Sequence, residues 1–215
     1  MPVLTQILEQ KRAPNRRNIY LDGVFAFGCN VTVVARFRLR IGLELSAEEV
    51  EQIQHGEVRQ ECFDAGLRLI QQRHHSTAEV QRKLARRQQW GEPVIQSVLA
   101  DLQRLGYLDD ARFAGARAAS AAGHKRFGRR RALGELLRSG VPAALASAAI
   151  ESVYGQLDST SIARSLALKH AARLRRLDPV VARRRLVGML QRRGFDYDSI
   201  APVVAEVLGP STAEV

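Results

Sequence analysis

The residues best placed to do chemistry in this chain are its arginines. Of 33 basic residues among 215, all but four are arginine, against 22 acids, and the net charge is +11. A guanidinium stays charged and offers five N–H donors in a rigid fork, a shape suited to phosphate and carboxylate. Two dense runs stand out: Lys125-Arg126-Phe127-Gly128-Arg129-Arg130-Arg131, and the set Arg173, Arg175, Arg176, Arg183, Arg184, Arg185, Arg192 and Arg193, with only Asp178 among them. On a helix Arg185 and Arg192 share a face, about 10 Å apart along the axis, while Leu186 and Leu190 point the other way, into a core. Arg131 and Arg138 repeat that pair; the corresponding positions farther upstream hold Glu79 and Arg86. The charge is uneven: +1 over residues 1–56, +2 over 57–108, and +4 over each of 109–157 and 158–215. Successive helices thus predict an interrupted basic track for an anionic partner. Its candidates are Lys125, Arg126, Arg129, Arg130, Arg131, Arg138, Arg175, Arg176, Arg184, Arg185 and Arg192. Reading of bases is not expected, because stacking needs exposed aromatics. Phe127 alone lies in a basic run, and Trp90, Tyr107, Phe113 and Phe195 sit where helix packing calls for bulk.

Other chemistry is hard to build. His74 and His75 are adjacent and diverge on a helix, and His55, His124 and His170 have no cysteine or carboxylate at ligand spacing. Two cysteines, Cys29 and Cys62, make neither a disulfide framework nor a zinc site, which suits a reducing compartment. Gly23 and Gly28 have P-loop spacing, but no Lys-Ser/Thr follows. Asp109-Asp110 precedes a helical pattern, where capping accounts for it. No serine or cysteine comes with a base, so no enzyme, metal or cofactor is expected. No stretch approaches the roughly 20 apolar residues of a membrane span, and the N-terminus lacks a signal-peptide pattern; the expected location is cytoplasmic.

The elements that must position the arginines are mostly helices. The first fifteen or so residues read as a loose basic arm, polar around Lys11–Arg17 and broken by Pro14. Asn18–Leu21 and Val24–Phe27 flank Asp22-Gly23, a type I′ hairpin signal. Asn30 can cap a short helix through Val31, Val34, Ala35 and Leu39, and Ser46 with Glu49 forms a capping box for another. From about residue 57 the pattern is helix after helix. Arg129–Val141 matches Arg183–Phe195 at an offset of 54, and a looser copy lies about 52 residues upstream, where Leu84 aligns with Leu136. Punctuation recurs: Ser76 with Glu79, Asp178 before Pro179, and Gly106, Gly140 and Gly194 at left-handed helix ends. The predicted fold is mainly α: tandem three-helix repeats in an elongated array behind a small N-terminal β-hairpin and helix module. The expected boundaries are 1–56, 57–108, 109–157 and 158–215, the last with a C-terminal tail. A unit of about 50 residues is too small to hold a good core alone and must lean on its neighbour.

The stretch Leu105-Gly106-Tyr107-Leu108-Asp109-Asp110-Ala111-Arg112-Phe113-Ala114, with Phe127-Gly128-Arg129-Arg130-Arg131 and Leu136-Leu137-Arg138-Ser139-Gly140-Val141, resembles the signature of the RecX family. Tyr20–Phe27 is similar to that family's hairpin, and the resemblance spans about residues 16–209. It implies a monomeric, cofactor-free, cytoplasmic regulator of the RecA recombinase. Such a protein sits in the groove of the RecA–single-stranded-DNA filament and limits its growth, ATP hydrolysis, strand exchange and co-protease activity. Contact with single-stranded DNA would be sequence-nonspecific, with duplex DNA left open. The alternative is a stand-alone DNA-binding transcriptional regulator, because three-helix units also resemble helix-turn-helix modules.

Overall fold

Apolar alternation, not a loose arm, organises the first residues. The computed structural model describes residues 1–209; the C-terminal tail expected after Gly209 lies outside the described residues. Strands β1 (Leu4–Gln10), β2 (Ala13–Leu21) and β3 (Val24–Asn30) form an antiparallel sheet in the order β1-β2-β3. Ile7, Ile19 and Phe27 stand in one row across it, and Leu4 and Ile19 are wholly buried. The expected arm is therefore corrected to a first hairpin. Its alternation is masked in sequence by register shifts at Leu4/Gln6 and Glu9/Gln10. Pro14 is tolerated because β3 pairs only from Arg16 onward, so the missing N–H costs no bond to that strand. Asp22 and Gly23 take φ of 49° and 82°, the two positive values of a type I′ turn.

Helix α1 (Val31–Arg36) is capped by the Asn30 side chain, which accepts from the Thr32 N–H at 2.9 Å. It stops short of Leu39: Arg38 adopts φ 51°, and the Leu39 N–H reaches the Val34 carbonyl at 3.0 Å, turning Leu39 into the core. Helix α2 (Ala47–Gln72) opens on the Ser46–Glu49 capping box, with reciprocal bonds of 3.1 and 2.7 Å. Hydrogen bonds from the Ser46 backbone hold the Glu49 carboxyl below the usual carboxylate range. The helix runs unbroken past residue 57 and carries Glu57, which accepts from the Asn30 N–H at 2.6 Å and pairs with Arg16 at 3.0 Å. That knot fastens the sheet to α2. Helices α3 (Thr77–Ala85) and α4 (Glu92–Arg104) add Val80, Leu84, Ile95, Val98 and Leu102 to a core shared with Cys62 and Ala65. Burial pushes the Cys29 thiol up to about 12, helped by Glu57, and the Cys62 thiol to about 11, so both stay protonated.

The chain divides into two compact units. Residues 1–74 and 80–108 form the first; residues 75–79 join the second, which begins again at Asp109. The second holds α5 (Asp110–Gly123), α6 (Arg129–Arg138) and α7 (Ala143–Tyr154), then α8 (Ser159–Leu174), α9 (Pro179–Arg193) and α10 (Tyr197–Leu208). Its two helix triplets end their middle helices alike. Gly140 and Gly194 take φ of 83° and 89°, and the next residues, Val141 and Phe195, bond back to Leu136 and Leu190 at 3.2 Å and are buried. Asp178 and Asp196 cap α9 and α10.

The two triplets meet at a helix-end junction. The Gly128 N–H donates to the Arg193 carbonyl at 2.8 Å, and the Arg130 N–H to the Gly194 carbonyl at 3.2 Å. Amides that α6 would leave unpaired thus meet carbonyls that α9 would leave unpaired, and the opposed dipole ends attract. A Cβ on Gly128 would lie 2.3 Å from Gly194 backbone atoms. The segment at residues 75–79 repeats the device: the Ser76 hydroxyl donates to the Ser139 carbonyl at 2.6 Å, and the Thr77 N–H to Asp110 at 2.8 Å. Asp109 caps α5 through the Arg112 N–H at 2.9 Å, so both carboxylates of the pair serve helix starts. Gly128→Ala is expected to lose about 2–3 kcal/mol in urea unfolding, as overpacking against backbone does. Gly134→Ala meets only the flexible Arg138 tip at 3.3 Å and is expected to be neutral or stabilising through helix propensity. Equal losses in the two would contradict this view of the junction.

Candidate functional site

Wholly buried Leu186 and Leu190 turn one side of α9 inward and leave Arg184, Arg185 and Arg192 exposed on the other. Two clefts border that exposed side. One, of about 500 Å³, is lined by His170 and Arg173 of α8 together with Arg184, Arg185, Met189 and Arg192 of α9. The other, of about 540 Å³, lies between α6 and α9 and is lined by Arg130, Arg131, Gln191 and Arg192 with two glycines. Arg192 borders both, and among the described residues no carboxylate lines either. A surface of one sign, walled by apolar packing, concentrates field and attracts anions.

The junction positions this cluster. Arg131 lays its guanidinium 4.0 Å above the Phe127 ring and donates to the Arg192 carbonyl at 3.0 Å. Arg193 lies 5.6 Å from the same ring and donates to the Lys125 carbonyl at 3.0 Å. Phe127 is buried, so it is a pedestal for cations and offers no face to a base.

The other candidates are placed differently. Lys125 is engaged by Glu135 at 2.8 Å, with Arg117 at 3.9 Å. Burial would raise the Glu135 carboxyl, but the hydrogen bond and charge of Lys125, with Arg117 and Arg131, hold it below its usual range. Arg129 pairs with Glu151. Arg126, at φ 51°, donates to Ser165 at 3.2 Å and lines a separate cleft beside α8. Arg175 donates to the Val207 carbonyl at 3.1 Å, a structural tie to the end of α10. Arg138 folds back over Gly134, and Arg176 is exposed; neither lines the two clefts. So the structure gathers Arg130, Arg131, Arg184, Arg185 and Arg192 and leaves the rest apart.

Three family models match this chain: the regulatory protein RecX N-terminal domain at residues 2–46, the second RecX three-helix domain at 109–150, and the third at 158–204. The chain is 30% identical over 214 residues to the regulatory protein RecX of Bacillus subtilis (strain 168), covering 96% of this chain and 78% of the relative. It belongs to the RecX family. A 33% identical RecX regulatory protein from Chlorobaculum tepidum matches over 71% of this chain and 91% of its own length. The fold agrees. A crystal structure of regulatory protein RecX aligns with a TM-score of 0.78 over 97% of this chain and 98% of that one, at 22% identity. RecX from Lactobacillus salivarius aligns with a TM-score of 0.63 over 71% and 97%, at 20% identity.

This RecX-family chain therefore has a regulatory role. Among its described residues no group of three or more His, Cys, Asp or Glu could hold a metal, and no helix is long and apolar enough to cross a membrane. Sequence reading missed His170 and Gln191 as neighbours of the arginines and left Arg173 off the candidates. His170 and Arg173 come there through the packing of α8 on α9, whereas Gln191 is the α9 residue beside Arg192. Tyr107 needs correcting too: it is 48% exposed, and Leu108, whose N–H bonds the Leu102 carbonyl at 3.1 Å, fills the core instead. Tyr154 donates to the Phe127 carbonyl at 2.9 Å, and burial, then the Glu135 charge, push its phenol up to about 12. An unfolded tyrosine ionises near 10, so this contribution to stability is intact below about pH 10 and is lost as pH rises toward 12. Ultraviolet titration is expected to show one ionisation near pH 12 that Tyr154→Phe removes; identical titrations would contradict it.

Proposed function

We propose that this chain is a negative modulator of the RecA recombinase. It binds in the groove of the RecA–single-stranded-DNA filament and limits filament growth, with ATP hydrolysis, strand exchange and co-protease activity falling in consequence. The observation that carries this reading is the cluster of Arg130, Arg131, Arg184, Arg185 and Arg192 around two clefts of the second unit that no carboxylate lines among the described residues. Guanidinia held on helices and at a helix junction suit phosphates or an acidic protein groove, and they give grip without reading sequence. A monomer bridging neighbouring protomers blocks addition of the next one. Neither a cofactor nor a membrane is needed for this role, and a cytoplasmic setting fits it.

The rival, a stand-alone helix-turn-helix regulator, needs polar base-readers on a recognition helix. The exposed side of α7 offers Ala143, Ala144, Leu145, Ser147 and Ala148, and that of α10 includes Asp198 and Glu206. Neither side suits a major groove.

The test is ATP turnover by RecA on single-stranded DNA with graded doses of this chain. Arg184→Ala/Arg185→Ala/Arg192→Ala is expected to need about tenfold more protein for the same inhibition, the worth of one charge-assisted hydrogen bond. Its log affinity is expected to depend less on log salt, by about 0.7 per lost single-strand phosphate contact. Arg129→Ala, whose guanidinium is engaged by Glu151, is expected to inhibit nearly as well as the parent. Full inhibition by the triple variant would overturn the reading.

A further inference from the structure

We propose that the first unit carries a separate binding site for a nucleotide, with the base laid on Trp90 and the phosphate held by Arg68 and Arg87. The site is a cleft of about 390 Å³ where β2, α2 and the loop after α3 come together. That is within the range of small-ligand sites, about 300–1,000 Å³. None of its residues belongs to the arginine cluster of the second unit, so this site stands or falls independently of it.

Two guanidinia of the lining stand without an ion pair. Three arginines and two carboxylates line the cleft. Glu61 is engaged by Arg16 at 2.9 Å. Asp64 accepts from the amides of Asn30 at 3.1 Å and Gln60 at 2.9 Å. Among the described residues neither Arg68 nor Arg87 has an ion pair, and the Arg87 guanidinium carbon lies 5.9 Å from the Trp90 ring. The lining carries one net positive charge, and two guanidinia without an ion pair offer free N–H donors to an anion there.

The tryptophan supplies the second half. Trp90 packs partly on the first unit's core and partly lines the cleft. It lies in the loop that also holds Gln88 at φ 55°, a left-handed conformation that costs a non-glycine residue free energy. A lid for the core needs neither that turn nor two arginines without an ion pair. An indole face beside guanidinia is the combination that stacks a base and holds its phosphate. A neighbouring depression of about 380 Å³ shares Asn15, Asn30, Asp64 and Arg68 with the cleft and continues past Thr32 and Gln71. An adjoining nucleotide of a strand has room there. A free nucleotide and a single strand share the required chemistry, and the experiment separates them.

Trp90 is the sole tryptophan of the chain, so its emission reports on this site alone. The full chain is titrated at low salt with oligothymidylate and, separately, with thymidine monophosphate. Saturable quenching is expected. Quenching by the strand at far lower nucleotide concentration assigns the site to a strand; equal quenching by the monophosphate assigns it to a free nucleotide. Arg68→Ala/Arg87→Ala removes two exposed side chains and is expected to raise the midpoint at least about tenfold. Arg184→Ala/Arg185→Ala/Arg192→Ala is expected to leave the quenching by thymidine monophosphate unchanged, whatever it does to strand binding or to RecA. Emission unmoved by either ligand, or quenching that survives the double arginine variant, would overturn the proposal.

Discussion

The end of α9 presents carbonyls with no partner inside their own helix, and the start of α6 presents amides in the same condition. The structure pairs them directly, Gly128 with Arg193 and Arg130 with Gly194. Side chains at the contact would hold the two backbones apart, and Gly128 and Gly194 keep that space clear. Much of the second unit follows from this closeness. It sets Arg131 over Phe127 and against the Arg192 carbonyl, and it makes Arg192 border two clefts at once. A basic surface here is a consequence of how two helix ends meet.

Such a surface is costly to build, because like charges repel. The chain offsets part of that repulsion with neutral acceptors: Arg131 and Arg193 donate to carbonyls, and an aromatic face lies beneath them. Carboxylates are kept for other tasks. Glu135 and Glu151 take Lys125 and Arg129, and aspartates cap helices. What remains is a cluster exposed to solvent, where screening limits the repulsion and an incoming anion relieves it. In the first unit Arg16 engages Glu57 and Glu61, Asp64 is held by neutral amides, and Arg68 and Arg87 stand without an ion pair among the described residues.

Helix ends were the most legible part of the sequence. The Ser46–Glu49 box, the Asn30 and Asp178 caps, the Asp22-Gly23 turn and the left-handed glycines all act locally, and all stand where their residue types put them. The 54-residue repeat was legible because Val141 and Phe195 fold back by the same bonds. The first strand was not, since two register shifts scramble its alternation. Helical periodicity correctly put Arg185 and Arg192 on one side of α9, yet it could not show that Arg138 turns back over its own helix or that Arg129 meets Glu151. Those outcomes depend on residues more than a turn away or on other helices. The close approach at Gly128 was equally hidden, because a glycine at a helix start has several possible uses.

Backbone hydrogen exchange of this chain, alone and on RecA-coated single-stranded DNA, tests the central claim most directly. The account predicts slowed exchange at the start of α6 and along α9, where the junction holds the arginines against the filament. Protection confined to α7 and α10, with α6 and α9 exchanging as in the free protein, would contradict it.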